Sequence, residues 1–256
     1  MEKMNCPPLQ VKDLVIGYND RTVLENLSFS VNQGEIFGIL GNSGCGKSTL
    51  LKNLIGIFSP VSGSISLLGE TLDPDDEKAY TRLMTKIGIT YQGGALFGSM
   101  TVAENVALPL ELHTDKSKEE IDAIVREKLA LVDLADFGNF LPGELSGGMK
   151  KRAGLARAIV LEPELLFFDE PSAGLDPLAS ASLDRLILSM RDQLGATVVI
   201  VTHELDSIFS ITDRVAVIDK KEKTIGAEGD PRELRDHSGN TFVRRFLNRD
   251  DLKRSL

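Results

Sequence analysis

Cysteine is nearly absent: Cys6 and Cys45 are the only two in 256 residues, one near the start and one in a glycine-rich loop. The pair makes neither a disulfide framework nor a four-ligand zinc site, and it suits a reducing compartment. No stretch approaches the roughly 18 unbroken apolar residues of a membrane-spanning helix. The opening Met1-Glu2-Lys3-Met4-Asn5-Cys6-Pro7-Pro8 has no apolar core for a signal peptide. A soluble chain is expected, with membrane contact made through a partner. Positive charge is in deficit: 29 Lys plus Arg against 38 Asp plus Glu give a net −9, the wrong sign for a general grip on nucleic acid. Internal repeats and low-complexity tracts are missing too. With 42% hydrophobic and 26% charged residues, the composition is that of one large globular domain of one or two lobes.

What is present is an alternation of apolar runs and helical patterns. Leu9 to Ile16 and Leu27 to Val31 are β-rich runs flanking the polar turn Gly17-Tyr18-Asn19-Asp20-Arg21, which predicts antiparallel pairing. Ile36-Phe37-Gly38-Ile39-Leu40 enters a loop from Gly41 to Gly46, and Lys47 to Ile57 then has helical composition with an apolar face. Leu165-Leu166-Phe167-Phe168 and Val198-Val199-Ile200-Val201 are short continuous runs of the kind buried on both faces of a parallel sheet. Ser117 and Glu120 form a capping-box pattern ahead of Ile121, Ile124, Val125, Leu129 and Val132 at helical spacing. The fold class is α/β, with a core at about residues 1–92 and 161–228, a helical lobe at about 93–160 and a helical tail at about 229–256. That tail holds Arg232, Arg235, Arg244, Arg245, Arg249, Lys253 and Arg254, read as a solvated helical face.

Gly41-Asn42-Ser43-Gly44-Cys45-Gly46-Lys47-Ser48 fits G-x-x-x-x-G-K-[ST] between a predicted strand and a predicted helix. The glycines let the backbone curl so that successive N–H groups, helped by the helix N-terminal dipole, surround a β-phosphate. Lys47 neutralises β/γ oxygens, the Ser48 hydroxyl binds Mg²⁺, and Thr49 extends the same segment. Cys45 reads as a small loop residue, although a thiol at a helix N-terminus can be acidified. Asp169 and Glu170 end the run that begins at Leu165. Adjacent strand residues point oppositely, so the two take different roles: Asp169 in the Mg²⁺ sphere, Glu170 at the attacking water. The plainer alternative is that both solvate a strand end.

Leu145-Ser146-Gly147-Gly148-Met149 strongly resembles the signature of ABC-type ATPases, LSGGQ, with Met149 where that pattern has Gln. Physically, Ser146 caps a helix beginning near Gly147, and small residues let its N-terminus approach an anion. The resemblance to ABC nucleotide-binding subunits covers nearly the whole chain. It implies a P-loop NTPase core with a mainly parallel sheet, an N-terminal antiparallel β subdomain and an α-helical subdomain, dimerising head to tail around two ATP with Mg²⁺. It places Ser146, Gly147 and Gly148 against the nucleotide of a second copy and Tyr18 against adenine. It makes Gln92 a link from Mg²⁺ and γ-phosphate to the helical lobe, and His203 a switch at the γ-phosphate. Lys47, Gln92, Glu170 and His203 are the catalytic set, and Asp176 closes a communication loop, Ser172-Ala173-Gly174-Leu175-Asp176. The residues alone also admit plainer roles: a turn aromatic, a surface amide, a helix-start histidine, and a cap before Pro177.

Gln92-Gly93-Gly94-Ala95-Leu96-Phe97-Gly98-Ser99-Met100, the run Leu145 to Ala153 and the ending Val243-Arg244-Arg245-Phe246-Leu247 look like the ATPase of Mla- and Mce-type lipid transporters. That similarity implies a membrane permease and a lipid-binding Mce-type subunit as partners, phospholipid as cargo, and a place on the cytoplasmic face of the membrane. Ala95-Leu96-Phe97 and the helix around Val102, Val106 and Leu108 are the candidate docking surface, with packing inside the helical lobe the equal alternative for any one side chain. A non-transport ABC ATPase serving a membrane or division complex is the alternative. No Asn-Lys-x-Asp guanine-reading pattern occurs, so ATP is expected over GTP.

Overall fold

The computed structural model describes residues 6–18 and 21–249. Residues 1–5 of the opening segment, Asn19 and Asp20 of the expected turn, and Lys253 and Arg254 of the basic tail lie outside the described residues. β1 (Leu9–Tyr18) and β2 (Arg21–Val31) pair antiparallel, from Leu9 opposite Val31 to Tyr18 opposite Arg21. Both run longer than the apolar stretches that predicted them. Register shifts between Val11 and Gly17 carry the intervening polar residues along the ladder while Leu14 and Ile16 stay buried.

β3 (Ile36–Leu40), buried throughout, feeds the glycine-rich loop and α1 (Lys47–Leu54). The helix stops short of the expected Ile57 because the Ile57 N–H turns back onto the Lys52 carbonyl. β4 (Ser62–Leu67) and the short β5 (Glu70–Thr71) complete a four-stranded antiparallel sheet in the order β2-β1-β4-β5. α2 (Glu77–Met84) leads to β6 (Ile87–Thr90), and α3 (Val102–His113), α4 (Lys118–Leu131) and α5 (Gly147–Ile159) follow. The Ser117–Glu120 pattern is a reciprocal capping box, and α3 opens on a second, Thr101–Glu104. Val102 and Val106 are fully buried where α3, α4 and α5 pack together. They therefore leave the candidate docking surface, whereas Phe97 is half exposed.

β7 (Leu165–Asp169), α6 (Pro177–Leu194), β8 (Thr197–Thr202), α7 (Leu205–Ile211), β9 (Arg214–Asp219) and β10 (Thr224–Gly229) finish a six-stranded sheet, β10-β9-β3-β8-β7-β6. Only β10 is antiparallel to its neighbour. Side chains alternate across this sheet. Phe37, Ile39, Phe167 and Val199 pack toward α1 and the antiparallel sheet; Ile36, Leu166, Phe168 and Val198 pack in the core shared with the helical lobe and α6. Both faces are covered, which is why these strands read as unbroken apolar runs. α8 (Pro231–His237) and α9 (Thr241–Leu247) follow, and Val243 and Leu247 are buried beside Leu40 and Val217. The basic tail is thus an amphipathic element, not wholly a solvated face.

The helical lobe is seated on the sheet at a close contact. A Cβ on Gly88 of β6 would lie 2.2 Å from the Ala158 carbonyl oxygen of α5. Gly88→Ala is expected to lower stability by about 1–3 kcal/mol through overpacking, seen as a lower urea midpoint with unchanged slope. An unaltered midpoint would contradict this seating.

Candidate functional site

β3, β8 and β7 lie side by side and parallel, so their carboxyl ends share one edge of the sheet. The glycine-rich loop leaves β3, Asp169 and Glu170 end β7, and His203 follows β8, at the place where open α/β sheets bind ligands. A cleft of about 550 Å³ opens there, lined by Tyr18, Ser43, Gly44, Cys45, Gly46, Lys47, Ser48, Thr49, Gln92, Glu170 and His203.

Gly46 stands at φ +107°, and a Cβ there would sit 2.8 Å from Val23 Cγ1, so the loop can press against β2 only with glycine at this point. Lys47 is folded back over the loop, its Nζ donating to the Gly41 carbonyl at 2.7 Å and more distantly to Asn42 at 3.4 Å. The Cys45 thiol is buried, and loss of solvent pushes its pKa up more than the nearby Lys47 charge pulls it down. The acidified thiol envisaged for a helix N-terminus is therefore not found. Tyr18 is half exposed, its hydroxyl 3.0 Å from Thr49 Oγ1 and its ring edge-on to Phe58.

Glu170 leaves the strand at φ +49°, and this turn sets its carboxylate apart from that of Asp169. Glu170 Oε1 lies 2.8 Å from His203 Nδ1, and Oε2 accepts from the Thr202 hydroxyl at 2.9 Å. Its N–H donates to the Val201 carbonyl. Asp169 does not line the cleft; its Oδ1 is buried without a hydrogen-bond partner. Burial first, then the Glu170 charge, raise the Asp169 pKa, with Lys47 and Lys52 opposing. A buried carboxylate oxygen left unpaired at the end of β7, with the exposed Ser48 at the start of α1 lining the cleft, fits a hard divalent cation. Among the described residues no group of three or more His, Cys, Asp or Glu could hold a metal. The arrangement suits Mg²⁺, which takes few protein ligands and completes its shell with phosphate oxygens and water.

Ser146 and Asp176 stand elsewhere. Ser146 Oγ accepts from the Met149 N–H at 3.3 Å as the cap of α5, and a Cβ at Gly147 would meet nothing within 4 Å. Asp176 Oδ1 accepts from the Leu178 and Ala179 N–H groups, both at 3.0 Å, capping α6. Neither these residues nor Gly148 line the cleft. Sequence reasoning missed Arg21, Lys220 and Lys223, which do line it; the Lys-Lys-Glu-Lys run at 220–223 was the available signal. It also gave no role of its own to Lys151, which lies within the run Leu145 to Ala153 and donates to three carbonyls just after β7.

A phosphate loop, a buried strand-end carboxylate and a second carboxylate held by a histidine define a P-loop ATPase domain. The family model described as ABC transporter matches residues 24–173. The protein named "Probable ribonucleotide transport ATP-binding protein mkl" of Mycobacterium tuberculosis is 41% identical over 240 residues, covering 94% of this chain and 66% of the relative. The chain thus spans about two thirds of that relative's length. The methionine import ATP-binding protein MetN of Clostridium tetani is 38% identical over 226 residues, covering 88% of this chain and 70% of the relative. Among solved structures, cbiO1 of Clostridium perfringens, part of the ABC transporter complex cbiONQ, superposes with TM-score 0.82 at 30% identity, covering 98% and 99% of the two chains. An ATP-binding cassette in a dimeric post-hydrolysis state bound to ADP and Pi matches with TM-score 0.79 at 27% identity, covering 87% of this chain and 98% of that one. This chain belongs to the ABC transporter family, as an ATP-binding domain whose cofactors are ATP and Mg²⁺.

The raised Asp169 pKa has a direct consequence for stability. The fold binds this proton more tightly than the unfolded chain does, so the associated stability is present at low pH and is lost as pH rises through the folded-state pKa. Asp169→Asn replaces the buried carboxyl, whose ionisation burial opposes, with a neutral amide. Without Mg²⁺ at neutral pH the variant is expected to melt at or above the wild type, while Mg²⁺-dependent hydrolysis falls by on the order of 10²–10³-fold. A lower melting point in chelator, or retained turnover, would contradict the assignment.

Proposed function

We propose that two copies of this chain bind and hydrolyse ATP between them and use the cycle to drive a membrane permease. The carrying observation is the split between the cleft, where the phosphate loop, Glu170 and His203 meet, and the glycine-lined N-terminus of α5, capped by Ser146, which lies outside it. A helix N-terminus opening on Gly147 and Gly148 has partial positive charge and room for a phosphate. Head-to-tail pairing supplies one from the opposing copy's ATP. The dimeric ADP- and Pi-bound cassette supports this pairing, and the place of cbiO1 in cbiONQ supports a permease partner. Among the described residues no helix is long and apolar enough to cross a membrane, so the subunit would sit peripherally on the cytoplasmic face.

In this reading the loop N–H groups and Lys47 hold the β- and γ-phosphates, Lys47 giving up the Gly41 carbonyl to do so. Ser48, Asp169 and Gln92 would hold Mg²⁺, which when bound would neutralise phosphate charge. Glu170, oriented by Thr202 and His203, aligns a water on the γ-phosphorus and takes its proton as the bond to the bridging oxygen breaks, leaving ADP and Pi. His203 Nδ1 lies against Glu170, and with a hydrogen on both ring nitrogens its Nε2 would donate to the γ-phosphate. Tyr18 stacks on the base, held by Thr49. Ser146 and the Gly147 and Gly148 N–H groups supply the anion contacts from the second copy, so Met149 in place of Gln need not abolish activity. Asp176 acts through the loop it anchors, its carboxylate being committed to the cap.

Release of Pi removes contacts that only ATP supplies, and the pair reopens. The permease would read this near Gln92. There the buried Asn105 pins the segment from Phe97 to Thr101 with four hydrogen bonds, leaving Phe97 half exposed. The proposed cargo is a phospholipid or related lipid, carried with an Mce-type subunit; the support is the similarity of residues 92–100, 145–153 and 243–247 to Mla- and Mce-type ATPases.

Glu170→Gln is expected to keep ATP binding while slowing phosphate release about 10²–10⁴-fold, and Ser146→Arg to block the ATP-dependent dimer while sparing binding to the cleft. Normal turnover in the first, or a normal dimer in the second, overturns the shared-site reading. Isolation of the native complex from membranes is expected to yield a permease with bound phospholipid. A binding subunit for a nucleotide or an amino acid would overturn the cargo.

A further inference from the structure

α5 presents basic side chains to three separate parts of the chain. Arg152 donates to the Val132 carbonyl and Ser182 and pairs with Asp133, and Arg157 donates to the Gly94 and Ala95 carbonyls. Lys151 reaches the segment after β7, donating to the carbonyls of Glu170 at 3.2 Å, Pro171 at 2.7 Å and Ala173 at 2.6 Å. An ammonium has three N–H donors, and all three are spent beside the hydrolytic carboxylate. Glu170 needs such support, because its φ of +49° is disfavoured for any residue with a Cβ. Thr202 and His203 hold the side-chain end of Glu170, and Lys151 holds the backbone end. Lys151 does not line the cleft itself.

We propose that Lys151 is a positioning residue for hydrolysis, tying the backbone that aims Glu170 to the helix whose N-terminus meets the second copy's nucleotide. The inference rests on the ATPase reading above. Lys151 lies about one turn beyond Gly147 and Gly148, so a rigid shift of α5 on pairing moves its ammonium and, with it, the carbonyls of residues 170–173. The cation makes Glu170 competent when the pocket is completed from outside.

The test is steady-state phosphate release by the full chain with ATP and Mg²⁺, comparing Lys151→Met, Lys151→Gln and Lys151→Arg. Lys151→Met is expected to lower kcat about 10–100-fold with KM for ATP within about twofold of wild type. Lys151→Arg, which keeps a cationic donor, recovers most of the rate, and Lys151→Gln stands in should the methionine variant fail to fold. Combined with Ser146→Ala, Lys151→Met should cost less than the product of the two single losses, because both act along one path. Wild-type kcat in a folded Met or Gln variant, a KM that rises in step, an Arg variant no better than Met, or losses that simply multiply each overturn the proposal. A wild-type chain that releases no phosphate overturns the ATPase reading instead.

Discussion

Neighbouring carboxylates on a β-strand point to opposite sides, and the turn at Glu170 carries this pair further apart. Asp169 ends β7 with a buried, unpaired oxygen, and the next residue switches to φ +49°, carrying its carboxylate across to Thr202 and His203 on the adjoining strand end. A left-handed residue with a Cβ costs about 1–2 kcal/mol. The Glu170 N–H bond to Val201, the two side-chain contacts and the Lys151 ammonium offset it. The two carboxylates thus have different surroundings, which suits the proposed division between cation and water.

That turn depends in its place on the parallel sheet. β3, β8 and β7 are neighbours, with Leu40 opposite Thr202 and Asp169 opposite Val201, so the phosphate loop, the carboxylates and the histidine arrive at one edge without a long loop between them. The strands stay in register because both faces are packed, by α1 and the antiparallel sheet on one side and by the helical lobe and α6 on the other. α5 adds the link between lobes. It seats against β6 at Gly88, opens on Ser146-Gly147-Gly148, and clamps the loop after β7 through Lys151 and the segment after Gln92 through Arg157. A single rigid helix thereby touches the parts that sense nucleotide, perform hydrolysis and face a partner in the proposed cycle.

Much of this was legible in local patterns. The phosphate loop, the buried runs at 165–168 and 198–201 and the Ser117–Glu120 capping box all depend on hydrogen bonds and side chains within a few residues, and each forms where the sequence places it. The failures share a different cause. Val102 and Val106 look available on the face of a helix but are covered by α4 and α5. The lysines at 151, 220 and 223 look alike as charges in polar runs. One is spent on carbonyls about twenty residues away, and the others line the cleft, distinctions that composition does not carry.

By itself the sequence determined the main elements, the glycine-rich loop between β3 and α1, and the pair of carboxylates at the end of β7, because each is set by chemistry between near neighbours along the chain. Only the tertiary structure decided which way Glu170 turns, that Lys151 supports it, and that Ser146-Gly147-Gly148 stand apart from the cleft. Those facts depend on which strand ends and helices become neighbours when the sheet is buried, and no spacing along the chain encodes that.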